Sequence, residues 1–216
     1  MTYIITGAYG SGKTEFAVNL AIHLSTLGRG RITIADMDVV NPFFRSREAS
    51  KILAPLGVDV AGSVFENHIA QDIPAISYAF LSRIRAGEDV IIDLAGDTVG
   101  LNLLASCYAA IGSYQLLCVC NMYRPQTVTL AKMVEFCGSI STASKLPVTG
   151  LVNNGNLLAL TTAQDVAAAH VAVQDAALIL GVPLMYNLVQ ENIQRELQLP
   201  NTLTFNTPYM RKGWQG

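Results

Sequence analysis

The chain has 216 residues, of which 51% are hydrophobic and 14% charged, with a formal net charge of −2 and a mean hydropathy of +0.36. That length suits one domain with a large core, and the slightly acidic balance excludes the basic face of a duplex-DNA binder. An average chain carries about 25% charged residues, so much of this surface is uncharged, which favours self-association and leaves a homodimer open.

The chain opens on a short β-type run at residues 3–6. Gly7-Ala8-Tyr9-Gly10-Ser11-Gly12-Lys13-Thr14 follows, matching G-x-x-x-x-G-K-[ST] at every fixed position, and a helical pattern then covers residues 13–26. A strand, a glycine loop and a helix start are what a phosphate cradle requires. Gly7, Gly10, Ser11 and Gly12 turn backbone N–H groups inward, and the helix N-terminus adds partial positive charge. Lys13 reaches the β- and γ-phosphates, and the Thr14 hydroxyl is a ligand for Mg²⁺. The expected ligand is a nucleoside triphosphate.

The second strand, residues 31–36, ends in Asp36-Met37-Asp38, before Asn41-Pro42. Two carboxylates at i, i+2 beyond an apolar strand suit a metal ligand and a group that orients an attacking water; a polar exit into a turn gives the same pattern. Helices are expected at 47–54 and 74–86. The third strand, Val90-Ile91-Ile92-Asp93, has the form of a Walker B carboxylate, and Gly96 completes D-x-x-G, whose glycine amide can sense a γ-phosphate. Asp97 belongs to that loop or caps the helix expected at 101–109.

Residues 103–120 are the most apolar region, but Ile111-Gly112-Ser113 breaks them into a helix and a buried strand rather than a membrane span. Cys107, Cys118, Cys120 and Cys137 show no C-x-x-C and no zinc spacing, so they read as reduced, buried thiols. Cys118 and Cys120 share one face of the strand at 115–121. With a strand from Tyr3, no secretion signal is expected. The expected location is cytoplasmic.

Further strands are expected at 148–153 and 183–188, with helices at 126–139, 163–180 and 191–197. Strands alternating with helices and rich in Ile, Val and Leu predict an α/β fold: a mostly parallel sheet with helices on both faces, the three-layer, Rossmann-like P-loop NTPase arrangement. Residues 1–200 form the nucleotide-binding domain and 201–216 an irregular tail packed on it. That tail is not an amphipathic membrane helix. A guanine-specific protein of this kind shows N-K-x-D after a strand. Here the strand end reads Asn153-Asn154-Gly155-Asn156, so adenine is favoured, with the amide of Asn153 or Asn154 on the base edge; an Asn-Gly turn is the plainer reading. Arg124 lies at the same edge and reads as solvent-facing.

The loop at residues 7–14, Asp36-x-Asp38 and Asp93-x-x-Gly96 resemble the MinD/ParA/CobQ-type P-loop ATPases of the SIMIBI class. The resemblance implies ATP and Mg²⁺ as cofactors, with phosphate on Lys13 and Thr14, Asp38 positioning the hydrolytic water, and Asp36 and Asp93 supporting the metal. One departure stands out: MinD and ParA carry a second lysine just after the first loop glycine, and this chain has Ala8. Arg45 or Arg47 replaces that charge or simply heads a helix. The resemblance implies a slow ATPase that acts as a nucleotide switch for a protein partner. Its biosynthetic branches imply instead an ATP-dependent ligase or small-molecule kinase, and the missing lysine suits a non-hydrolysing regulatory subunit.

Overall fold

A computed structural model describes residues 1–37, 46–61, 77–205 and 209, with the backbone alone at 46–49 and 77–79. The first strand, β1 (Thr2–Gly7), is buried along its whole length, because it is apolar on both faces. Successive side chains of a strand point to opposite sides. Ile4 therefore joins one core with Ile92, Leu116, Cys118 and Met133, while Tyr3 and Ile5 join another with Phe16, Leu20, Ile91 and Leu117. A sheet with two apolar faces needs helices on both.

Those helices arrive by the connections that a parallel sheet demands. The elements run β1, α1 (Lys13–Thr26), β2 (Ile32–Asp36), α2 (Ser46–Leu53), β3 (Val58–Ala61), α3 (Ser77–Arg85), β4 (Asp89–Asp93), α4 (Thr98–Cys107), β5 (Tyr114–Cys120), α5 (Leu130–Ser144), β6 (Gly150–Asn153), α6 (Ala163–Leu180), β7 (Leu184–Gln190), α7 (Glu191–Gln194) and β8 (Thr202–Phe205). The eight strands form one sheet in the order β3-β2-β4-β1-β5-β6-β7-β8, every pair parallel. α1 packs on the Ile5 face; α4, α5 and α6 bury Leu104, Met133 and Val173 on the Ile4 face. β1 lies between β4 and β5, where the chain first crosses to one side and later to the other. The carboxyl ends of these three strands open on the crevice where such folds take ligands.

The sequence pattern and the structure agree closely at α1 and α6; α4 begins three residues earlier and α7 ends three residues earlier than expected, and three further differences have a physical reason. β3 was not expected; it is four residues long, too short for a period to develop, and Asp59 in it pairs with Arg31 at 2.5 Å. The segment from Asn201 was expected to be irregular. It instead begins with β8, because Leu203 and Phe205 alternate into the core at 6% and 5% exposure and Asn187 Nδ2 donates to the Pro200 carbonyl at 2.8 Å, just ahead of it. α5 starts four residues later than the pattern at 126–139 suggests: Thr127 Oγ1 donates to the Asn121 carbonyl at 2.6 Å, closing a turn, and Thr129 then caps the helix. Residues 74–76 of the third expected helix lie outside the described residues. No helix among the described residues is long and apolar enough to cross a membrane.

Candidate functional site

β1 delivers the chain into the loop and α1 takes it away. Gly10 and Gly12 have φ of +71° and +89°, left-handed values that a side chain disfavours, and Ser11 N–H closes a tight turn on the Ala8 carbonyl at 3.0 Å. Gly12 is the N-cap of α1 and no side chain caps that helix. Its first-turn N–H groups therefore have no side-chain acceptor and form a ready anion site. Lys13 is 8% exposed. Among the described residues no carboxylate pairs with it, and a buried ammonium calls for a counter-charge. Thr14, half-buried, follows on the same turn.

The loop is braced on both sides. Towards β4, Gly96 abuts Gly7 so closely that a Cβ would meet the Gly7 carbonyl carbon at 2.9 Å. Towards β5 and β6, Arg124 Nε donates to the Gly10 carbonyl at 2.9 Å, and Asn154 Nδ2 donates to the Ser11 carbonyl at 2.7 Å. Arg124 thus meets the loop rather than solvent alone, a role that sequence reading missed.

Asp36 and Asp93 end neighbouring strands as register partners, both buried, at 9% and 2% exposure. Alternation from Ile34 and Ile91 puts both carboxylates on the face that carries α1. Buried hard oxygen donors and the Thr14 hydroxyl suit Mg²⁺, and the close glycine approaches suit a polyphosphate, so the residues present fit both groups. Asp38 and Arg45 lie outside the described residues.

No protein-family model and no curated protein matches the chain. Solved structures do. The cell division protein FtsY of Thermotoga maritima superposes with a TM-score of 0.58 at 20% identity, over 87% of this chain and 60% of that one. The signal recognition particle 54 kDa protein of Aeropyrum pernix, in complex with GDP, gives 0.62 at 16% identity over 86% of this chain and 40% of that one. The fold is P-loop NTPase-like, as in these structures. The signal recognition particle receptor FtsY of Elizabethkingia anophelis, in complex with GDP, gives 0.59 at 17% identity, over 86% and 56%. This chain spans between two fifths and three fifths of the length of these three proteins.

Within this P-loop fold the remaining residues fall into place. Asp97 caps α4, its Oδ1 accepting from Gly100 N–H at 2.9 Å. Asn153 is fully buried. Its Nδ2 donates to Asn187 Oδ1 at 3.0 Å and its Oδ1 accepts from Gly155 N–H at 3.0 Å, which leaves one amide hydrogen and one lone pair. Asn154 Oδ1 is buried and has no hydrogen-bond partner. Asn121 ties the β5 exit to the β6 exit through the Asn156 carbonyl at 3.0 Å. Between β5 and α5, the sulfurs of Cys118, Cys120 and Cys137 lie within 4.8 Å of one another, all buried and all free.

Proposed function

We propose that this protein binds a nucleoside triphosphate with Mg²⁺ on residues 7–14 and acts as a slow ATPase, a nucleotide switch read by a protein partner. The observation that carries the reading is Lys13: buried to 8% exposure, without a carboxylate partner among the described residues, at the uncapped start of a 14-residue helix. That combination is built for a polyphosphate.

Gly7, Gly10, Ser11, Gly12, Lys13 and Thr14 contact the phosphates in this reading, and Gly96 stands where a γ-phosphate is sensed. Mg²⁺, held by Thr14, Asp36 and Asp93, would neutralise charge on the β- and γ-oxygens. Asp38 orients the attacking water, while Lys13 and the loop amides oppose the charge that develops in transfer. Adenine is favoured because the β6 exit lacks N-K-x-D. Its amino group suits the buried acceptor of Asn154 Oδ1, and Asn153 retains one donor and one acceptor at the same strand end. The Elizabethkingia anophelis FtsY and the Aeropyrum pernix signal recognition particle protein named above hold GDP, which makes the base the first specificity to test.

Phosphate release from ATP and from GTP with Mg²⁺, with bound nucleotide measured in parallel, tests the reading on wild type, Lys13→Ala and Asp38→Ala. Slow turnover of ATP, loss of binding in the first variant and binding without turnover in the second are expected. Binding with equal inertness of wild type and Asp38→Ala would replace the switch ATPase with a regulatory subunit or an enzyme needing a second substrate. That outcome would fit Ala8, 2% exposed where MinD and ParA carry a lysine.

A further inference from the structure

Two side chains distant in sequence grip successive peptide units of the loop. Arg124 Nε donates to Gly10 O at 2.9 Å across 114 positions; Asn154 Nδ2 donates to Ser11 O at 2.7 Å across 143. A peptide unit is planar and trans, so its N–H points opposite to its C=O. Fixing Gly10 O therefore aims Ser11 N–H, which closes on Ala8 O at 3.0 Å. Fixing Ser11 O turns Gly12 N–H away from Asn154, towards the interior of the loop.

The grip is itself rigidly mounted. Arg124 sits in a turn held by Arg124 N–H to Asn121 O at 3.0 Å and Thr127 N–H to Arg124 O at 2.9 Å. Asn154 N–H is bonded to Cys120 O at 2.9 Å, and its side chain is 5% exposed. The fit leaves no slack: a Cβ on Gly12 would run into Asn154 Nδ2, and one on Gly10 would meet Arg124 Cζ at 3.2 Å.

We propose that Arg124 and Asn154 are positioning residues, a two-point clamp that holds the loop amides in the anion-receiving arrangement before any ligand arrives. Its effect on ligands rests on the nucleotide reading above, since the clamp lowers the ordering cost of gripping a polyphosphate. Arg124 acts on the phosphates and leaves the base untouched, whereas Asn154 also turns its Oδ1 to the base in that reading. The Arg124 contact is a single Nε–H bond, so a lysine, which keeps one donor and the charge, should serve nearly as well.

Two readouts test it on the full chain with Arg124→Ala, Asn154→Ala, the double variant and Arg124→Lys. In ligand-free protein, hydrogen exchange at residues 8–12 should quicken about tenfold or more in each alanine variant, with Arg124→Lys close to wild type. Dissociation constants for ATP, GTP and inorganic pyrophosphate should rise roughly ten- to thirtyfold, as loss of a charge-assisted or buried hydrogen bond implies. Those for adenosine and guanosine should stay put in Arg124→Ala, the variant that touches no group assigned to the base. The double variant should lose less than the product of the two singles, because both bonds hold one loop. Unchanged exchange in both single variants would overturn the clamp whatever binds, as would nucleoside affinities that fall in step with the triphosphates in Arg124→Ala. A wild type that binds neither nucleotide nor pyrophosphate would overturn the nucleotide reading instead, and exchange alone would then decide the clamp. Should an alanine variant fail to fold, Arg124→Gln and Asn154→Ser take the same two measurements.

Discussion

The backbone of Gly96 rests on the backbone of Gly7: a methyl group at position 96 would sit 2.9 Å from the Gly7 carbonyl carbon and nearer still to its oxygen. The β4 exit and the start of the loop are thus in contact with no side chain between them. Gly96→Ala must part them. Overpacking of this kind costs about 1–3 kcal/mol, and the strain falls on the first glycine of the cradle. The variant should fold, melt several degrees lower and bind ATP at least about tenfold more weakly. Gly138→Ala is the control. That glycine lies in the interior of α5 with open space around it, so alanine there should stabilise by about 0.5–1 kcal/mol. Equal melting curves for the two variants would refute the close approach.

Asp36 and Asp93 end adjacent strands as register partners, both buried. Hard carboxylate oxygens on adjacent strand ends suit a divalent cation. Asp93→Asn should therefore lose the extra stability that Mg²⁺ with ATP gives wild type. Melting curves with and without Mg²⁺ decide it. An equal gain from Mg²⁺ with ATP in wild type and variant would mean that the carboxylate does not hold the metal.

What could be read from the sequence was whatever is contiguous. Gly7 to Thr14 is a local pattern whose strand, loop and helix all lie within one stretch of chain, and Asp36 and Asp93 were visible because each ends an apolar run. The bonds Arg124–Gly10 and Asn154–Ser11 join residues 114 and 143 positions apart, and no periodicity encodes such a bridge. β3 and β8 escaped because four residues are too few for alternation to rise above chance. Asp97 was legible in both its readings, and only the 2.9 Å bond from Gly100 N–H selects the cap.

Helix α6 opens on a reciprocal capping box. Asp165 Oδ2 accepts from Thr162 N–H at 2.8 Å and from Thr162 Oγ1 at 2.6 Å, and these bonds, the hydroxyl's first, hold the Asp165 carboxyl below its ordinary value. A carboxyl lowered by folding contributes stability above its unfolded value of 3.8 and loses it as pH falls through the lower folded value. The melting temperature of wild type over Asp165→Asn should therefore be higher at neutral pH, with the gap closing below about pH 4. Thr162→Ala removes the other half of the box and should cost about 1 kcal/mol. A gap between wild type and Asp165→Asn that persists unchanged at pH 2 would assign the effect to something other than carboxylate charge.

Phe205 tests the strand that stands where an irregular tail was expected. It is 5% exposed and packs in the core beneath α1 with Phe16, Leu188 and Leu203, while Thr204 beside it faces solvent. Removing a buried phenyl ring typically costs about 3–5 kcal/mol, and in a chain of this size each kcal/mol lowers the melting temperature by about 2–4 °C. Phe205→Ala should therefore melt roughly 10 °C below wild type, whereas Thr204→Ala should shift stability by less than about 0.5 kcal/mol. Urea denaturation gives the same comparison as a change in midpoint. A loosely packed tail would tolerate both substitutions alike. A large difference between two adjacent positions requires the alternation of a paired strand, with one face in the core and the other in water.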